Sequence, residues 1–175
     1  MSKGSNLKKL KKENFNVPEF EIYKVSSFLK DKKKKIINIK KKFKNFKFAI
    51  RSSHNSEDKE NLSNAGKFKS FLNINTNNEI NLEKKIYEVI DAYKTVSNNL
   101  HNQEFIIQRM VNDINISGVV LTRDINNFND FYVINYFIGN DSAAVTSGKK
   151  NTKTIRYFYN RKYKLSEPFN KLLKI

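Results

Sequence analysis

Residues 48–74 read FAIRSSHNSEDKENLSNAGKFKSFLNI, and they carry the strongest local signal for the fold. Large apolar side chains alternate with other residues from Phe46 onward, which predicts a β-strand that ends at Arg51. Residues 52–66 are polar and show no apolar period, so they predict a long loop. A loop of this length within a compact domain is more often functional than not.

The residue types in this stretch suit the binding of an oxyanion. The guanidinium of Arg51 can donate to two phosphate oxygens at once. Ser52 and Ser53 offer hydroxyl and backbone N–H donors, and Gly66 allows the backbone to approach a ligand closely. The same residues are also compatible with a strand that ends in a polar turn, with Arg51 in a surface ion pair. Both interpretations stay open on these residues alone.

The residues before this stretch predict short elements separated by lysine runs. Two leucines have a helical spacing within the Lys-rich residues 5–15. Residues 16–23 alternate around Pro18 and predict an edge strand or an extended segment, because proline cannot donate to a strand ladder. Residues 30–47 contain two lysine runs around three isoleucines and predict a solvated strand or loop.

The residues after this stretch predict one long helix followed by strands. The helix is expected from Leu82, because apolar residues recur at the spacing of one helical face: Leu82, Ile86, Val89, Ile90, Tyr93, Val96 and Leu100. Short β-branched or aromatic segments bounded by Asn, Asp or Gly predict strands at residues 104–111, 117–122, 131–138 and 154–159. The sequence therefore predicts an α+β fold, with a mixed or antiparallel sheet and flanking helices.

Length and composition exclude several classes of protein. A chain of 175 residues with 38% hydrophobic residues can bury the core of about one domain. No stretch approaches the ~18–20 apolar residues of a membrane span, and the basic N-terminus lacks the apolar run of a secretory signal. The sequence has no cysteine, which excludes disulfides, thiolate zinc sites and cysteine nucleophiles. Its two histidines, His54 and His101, are too few for a His-rich metal site.

The net charge of +17 has two interpretations. A strongly basic chain is typical of proteins that bind nucleic acid, and the phenylalanines among its lysine runs could stack on bases. Of the 34 basic residues, however, five are Arg and the other 29 are Lys, whereas nucleic-acid contact surfaces favour Arg. Lys and the 26 Asn together fill nearly a third of the sequence. Their A/T-rich codons favour the interpretation that a low-GC genome shaped the composition.

Two further segments carry candidate binding residues. Lys3 and Gly4 precede a short helical pattern, and a helix N-terminus attracts anions. Gln108 lies on the strand predicted at 104–111, where its amide could face a nucleobase. The alternatives are a loose N-terminus for Lys3 and an ordinary pair of sheet strands around Gln108.

Together these segments resemble the N-terminal nucleotide-binding domain of phosphoenolpyruvate synthase and pyruvate phosphate dikinase, which are ATP-grasp phosphotransferases. The family's motifs occur in order over roughly residues 1–150, as KGSNL at 3–7, VPEF at 17–20, RSSHNSED at 51–58, Ser63, AG at 65–66, LNI at 72–74, QRMV at 108–111 and SGVVLTRD at 117–124. Each motif alone is moderately specific, and the ordered set is strong evidence for the resemblance.

The resemblance implies a partial ATP-grasp-like nucleotide-binding domain and gives roles to five residues. Lys3 and Arg51 would hold the phosphates of ATP. Gly66 and the hydroxyl of Ser70, which is often Thr in the family, would line the phosphate loop. Gln108 would lie beside the adenine. Two cations and a glycine for a triphosphate agree with the oxyanion interpretation given above.

The sequence departs from the family's pattern in ways that concern catalysis. Arg123 matches a family motif but receives no role. The family handles Mg²⁺ and the γ-phosphate with a Glu and with an Asp/Glu and Gln-x-Arg cluster far downstream, and this sequence contains no such cluster. At residues 139–148, GNDSAAVTSG replaces the expected Gly-x-Gly-Glu. We therefore expect a Lys-rich N-terminal segment at 1–47 and a partial ATP-grasp core at 48–175.

The resemblance implies the ATP-binding portion of a bacterial, cytoplasmic kinase, with ATP as its ligand, Mg²⁺ as cofactor of the complete enzyme and no membrane contact. The phosphate acceptor stays undefined, and the missing half could belong to a separate chain. Two alternatives stay open. One is a basic nucleic-acid-binding module, which the scarcity of Arg disfavours, and the other is a non-catalytic remnant.

Overall fold

The first part of the chain forms a four-stranded antiparallel sheet with helices on both faces. The computed structural model describes residues 2–53, 68–95, 99–124, 130–148, 151–158 and 168–169. The chain divides into two compact units, Met1–Val111 and Asn112–Ile175. The first unit contains, in chain order, α1 (Lys3–Lys12), β1 (Phe20–Lys24), α2 (Val25–Lys30), α3 (Lys32–Lys42), β2 (Phe48–Ser53), β3 (Ser70–Ile74), α4 (Glu79–Lys94) and β4 (Glu104–Arg109).

The strands of the first unit lie in the order β1–β4–β2–β3, and each neighbouring pair is antiparallel. β1 lies at one edge and begins two residues after Pro18, so the edge strand predicted within residues 16–23 is confirmed from Phe20 onward. β3 lies at the other edge, where its register with β2 shifts between Phe48 and Ile50. Asn73 has a φ of 58° in this irregular segment, a conformation that Asn tolerates better than most residues.

One face of this sheet packs against α2, α3 and α4 and forms the core of the unit. Phe105 at the centre of this face is fully buried. Its ring lies 5.4 Å from that of Tyr23 in a stacked arrangement and 5.3 Å from that of Phe28 in an edge-on one. Such aromatic pairs add to the free energy gained by burying their area. The interior of the first unit therefore depends on tightly packed rings between sheet and helices.

The sequence prediction for residues 30–47, a solvated strand or loop, is wrong, because this region contains helix α3. Ile36, Ile39 and Phe43 are spaced as one face of a helix, and all three are buried. Lysine is a good helix former, so the lysine runs occupy the remaining positions without breaking the helix. Because most residues of α3 are lysines, the narrow apolar face formed by Ile36, Ile39 and Phe43 is not evident from the sequence.

Helix α4 confirms the long helix that the sequence predicts, but it begins and ends at other residues than the predicted pattern. It begins at Glu79, where the side chain of Asn78 accepts the backbone N–H of Asn81 at 2.9 Å and so caps the helix. It ends at Lys94, before the last apolar positions of the predicted pattern. Of those positions, Val96 lies outside the described residues, and Leu100 packs against the core from a non-helical segment.

The second unit is described as a three-stranded antiparallel sheet. Its strands are β5 (Ile116–Leu121), β6 (Phe131–Ile138) and β7 (Lys153–Phe158), with β6 in the centre. These strands and β4 confirm the four strands predicted in the second half of the sequence, although β7 begins at Lys153 and Tyr159 lies outside the described residues. The predicted α+β class is therefore confirmed, and every strand pair described is antiparallel.

Within the part of the chain that the structure describes, no helix has the length and apolar character needed to cross a membrane. The division at residue 47 that composition suggests stays a prediction.

Candidate functional site

The polar face of the first sheet brings together residues from three separated sequence motifs. In the β2–β4 ladder, Ala49 pairs with Gln108 and Arg51 with Ile106, so Arg51 and Gln108 lie on the same face. Ser70 pairs with Arg51 across the β2–β3 ladder and shares that face. It is the face opposite to the aromatic core. Three of the predicted site residues are therefore neighbours on one surface.

Arg51 and Gln108 are joined by a hydrogen bond. Nη1 of Arg51 donates to Oε1 of Gln108 over 3.0 Å. Gln108 is buried and Arg51 is half-buried, so the bond holds the guanidinium against the sheet. It uses one of the five N–H donors of a guanidinium group, which presents its donors in a fixed planar fork. An oriented guanidinium of this kind is suited to bind phosphate or carboxylate.

The N-terminus of α1 packs on the same face, next to the end of β2. Ser2 caps the helix, since its hydroxyl accepts the N–H of Ser5 at 3.2 Å. The backbone N–H of Gly4 donates to Oγ of Ser53 over 2.9 Å, and both groups are buried. A Cβ at Gly4 would lie 2.9 Å from Cδ1 of Ile22 and 3.1 Å from Oγ of Ser53. The absence of a Cβ at Gly4 eases this close approach, which brings Lys3 to the end of β2, two residues beyond Arg51.

A buried tyrosine anchors the strand end that receives α1. The hydroxyl of Tyr93 accepts the backbone N–H of Ser53 at 2.9 Å and donates to the backbone carbonyl of Glu104 at 2.6 Å. Helix α4 is thereby tied to the ends of β2 and β4. The sequence predicts Tyr93 only as an apolar helix position. Its hydroxyl was the available signal, since a buried tyrosine O–H requires a partner.

The remaining predicted site residues have different positions. Ser70 is exposed at the first residue of β3, so its hydroxyl can reach a ligand over the sheet. Gly66 lies in residues 54–67, outside the described part of the chain. Arg123 belongs to the second unit, where its guanidinium lies 3.6 Å from the carboxylate of Asp130 with both side chains largely exposed.

The arrangement favours an anion. Lys3 and Arg51 carry positive charge, and the ten-residue helix α1 directs its positive dipole end toward the same strand end. Among the described residues, no group of three or more His, Cys, Asp or Glu could hold a metal ion. The face can therefore orient an oxyanion through a guanidinium, an ammonium group and a serine hydroxyl, with the Gln108 amide beside them.

Comparison with known families supports the resemblance that the motifs indicate. The model of the family described as "Pyruvate phosphate dikinase, AMP/ATP-binding domain" matches residues 3–167. The matched range includes all the site residues predicted from the sequence. No curated protein matches the chain.

Proposed function

The chain belongs to the family of pyruvate phosphate dikinase AMP/ATP-binding domains, as its motifs predict, and on this premise we propose that the polar face of the first sheet is its ATP site. The observation that carries the proposal is the convergence of Lys3, Arg51 and Gln108 on one face. These residues come from three motifs separated by more than forty positions each. A family match alone would not require them to be neighbours.

In this site, Arg51 and Lys3 bind the phosphates of ATP. The Arg51 fork binds two oxygens at once, whereas the Lys3 ammonium acts as a mobile point charge at the helix N-terminus. Ser70, with Gly66 from the preceding segment, lines the phosphate loop. Gln108 lies beside the adenine, and its bond to Arg51 couples the positions of the base and phosphate subsites.

The complete enzyme is, on this proposal, a bacterial, cytoplasmic kinase of the phosphoenolpyruvate synthase type. It transfers a phosphoryl group from ATP to a histidine or to a small acceptor. Phosphoryl transfer depends on Mg²⁺ held by carboxylates and phosphate oxygens. The described residues do not offer a carboxylate cluster, and the sequence lacks the family's Gln-x-Arg cluster, so no step through Mg²⁺ is assigned to this chain. We expect it to bind ATP with little turnover.

Titration calorimetry with a non-hydrolysable ATP analogue tests the site. Removing a charge-assisted hydrogen bond costs ~1.5–3 kcal/mol, and ~1.4 kcal/mol is tenfold in affinity, so Arg51→Ala should weaken binding about 10- to 100-fold. Arg51→Lys keeps the charge but loses the fork, and an intermediate loss is expected. Arg156→Ala is the matched control, because Arg156 pairs with Asp124 in the second unit and should leave the affinity unchanged.

Three results would count against the proposal. Equal affinity for Arg51→Ala and the wild type would remove the assigned phosphate site. Rapid Mg²⁺-dependent ATP hydrolysis by the 175-residue chain would contradict the expected lack of turnover. Absence of ATP binding, together with oligonucleotide binding that falls steeply with salt, would favour the nucleic-acid alternative.

A further inference from the structure

A cavity of about 670 Å³ runs along the outer edge of strand β1. We call it the edge groove. Its floor is β1, and its walls come from α2 and α3, with the lining residues Ile22, Lys24, Ser27, Lys35, Asn38 and Lys41 among others. Its lining includes none of the residues assigned to the ATP site.

The backbone of β1 presents unused hydrogen-bonding groups to the edge groove. In an antiparallel ladder, alternate residues exchange both bonds with the partner strand, and the residues between them direct N–H and C=O outward. Arg109 donates to the carbonyl of Glu19, and Val25 donates to that of Gln103. These two bonds fix the odd-numbered residues of β1 as the set bonded to β4. Ile22, which lies between two of them, therefore directs its N–H and C=O into the groove.

The lysines of α3 that face α4 differ from most of the lysines that line the groove. Those on the side of α4 are ion-paired, since Lys32 lies 2.8 Å from Glu83 and Lys40 lies 2.5 Å from Glu79. Of the four lysines that line the groove, Lys42 is paired with Glu21. By contrast, no ion pair with another described residue is found for the other three, Lys24, Lys35 and Lys41, which we call the groove lysines. The helix is thus neutralised on one side and leaves net positive charge on the side of the groove.

The acidic residue of the groove is itself compensated. Glu21 forms an ion pair with Lys42, which also lies 3.6 Å from Glu19. The hydrogen bond from Lys42 to Glu21 raises the pKa of the lysine, whose positive charge lies against the Glu21 carboxylate. Glu21 therefore does little to repel an incoming anion.

We propose that the edge groove binds an extended, acidic peptide segment of a partner protein, which pairs with β1 as an added strand. The backbone of Ile22 provides the ladder, and the groove lysines provide charge complementarity to acidic side chains on alternate positions. A small anion would use the lysines but would leave the strand edge unpaired. The need for both an edge and cations favours a peptide.

Fluorescence anisotropy with a labelled peptide, acetyl-(Val-Glu)₃-amide, tests the proposal on the full chain. Wild type is expected to bind it, and Lys35→Glu should weaken binding about tenfold or more, because a like charge replaces an attractive one. Lys34→Glu is the matched control, since Lys34 lies on the same helix, is exposed and does not line the groove. It should change the affinity less than about twofold.

A second probe tests the ladder without altering the protein. The same peptide N-methylated at every residue retains its charge but loses the backbone donors of both edges, so its binding to wild type should be lost. Equal binding of the methylated peptide, equal binding of acetyl-(Val-Lys)₃-amide, or displacement by millimolar inorganic phosphate would each overturn the proposal. The first two would indicate non-specific contact and the third a small-anion site. Because the ATP analogue binds elsewhere, it should not compete.

Discussion

The two units of this chain bury their sheets to very different extents. In the first unit, helices cover one face of the sheet, and sixteen buried residues of its described part form one continuous core. In the second unit, the edge strands β5 and β7 alternate between exposed and half-buried positions, and burial within the described sheet is confined to Val133 and Ile134 of β6. Packing against helices therefore stabilises the first sheet, whereas pairs across strands account for more of the stability of the second.

The difference matters for function because the described residues of the proposed ATP site all lie in the first unit. A guanidinium keeps its orientation only if the strands beneath it are rigid, and the buried centre of β4 provides that support for Gln108. In the second unit, cross-strand contacts such as the hydrogen bond from Thr154 to Asn135 at 2.7 Å and the Phe131–Phe158 ring pair at 3.8 Å lie near the surface. Matched substitutions in the two units can therefore test the comparison.

The largest expected contrast is between two Phe→Ala substitutions. Phe105→Ala removes a fully buried ring from the centre of the first core and should cost ~3–5 kcal/mol. Phe131→Ala removes a half-buried ring from a cross-strand pair and should cost about 1 kcal/mol. Hydrogen exchange of peptides covering β4 and β6 measures the free energy of opening in each unit separately. If Phe131→Ala lowered the free energy of opening as much as Phe105→Ala or more, the second unit would have a core that contributes as much stability as that of the first.

Sequence reasoning found most strands but missed features that depend on distant contacts. β-branched and aromatic runs identify β4, β5, β6 and β7 because such residues favour a pleated, half-buried surface. Helix α3 was missed because eight of its eleven residues are lysines or Asn and the apolar stripe is narrow. Helix α3 is stabilised mainly by burial of that stripe against the first sheet, rather than by the intrinsic helix propensity of its residues.

The candidate site shows the same limit. The motifs single out Lys3, Arg51 and Gln108 individually, and the family resemblance implies their nucleotide-binding roles. The hydrogen bond from Gly4 to Ser53 joins residues 49 positions apart. Neither motif predicts the tertiary packing that brings these two residues together. Tyr93 was missed for a similar reason, since its hydroxyl partners lie on β2 and β4 while its spacing is that of an ordinary core position.

A smaller contrast is expected between two deletions of a hydroxyl group. Tyr93→Phe leaves the buried N–H of Ser53 and the carbonyl of Glu104 without this partner, so it should cost ~1–3 kcal/mol. Ser117→Ala removes a 2.6 Å bond to the carbonyl of Asp141 in the second unit, where water can replace the hydroxyl, and should cost about 0.5–1 kcal/mol. Urea unfolding monitored by amide hydrogen exchange in β2 and β5 measures the loss of stability in the first and second units, respectively.

Tyr93→Phe has a second readout that a general loss of stability does not predict. If Tyr93 positions the strand end that holds α1, the variant should weaken ATP-analogue binding under conditions where it remains fully folded. When Tyr93→Phe is combined with Lys3→Ala, the losses of binding free energy should be less than additive, because both substitutions act through the N-terminus of α1. Full additivity would assign Tyr93 a purely structural role.

The smallest expected effect concerns one ion-pair cluster on the helical layer of the first unit. Lys85 donates a hydrogen bond to Glu88 on α4 at 2.9 Å, and Lys69 lies 3.7 Å from the same carboxylate. The hydrogen bond to Lys85 lowers the pKa of Glu88 below its ordinary value of 4.5. Since the folded-state pKa is the lower one, the stabilisation is present above the unfolded pKa and is lost as the pH falls through the folded pKa.

Glu88→Gln isolates this contribution, because it keeps the shape of the side chain but cannot titrate. Between pH 6 and about pH 3, stability of the first unit should fall slightly less steeply in the variant than in wild type, and high salt should reduce the difference. Exchange protection in α4 is the measurement, with β6 of the second unit as the internal reference. An identical pH slope in wild type and variant would mean that this ion-pair cluster adds no measurable stability to the helical layer of the first unit.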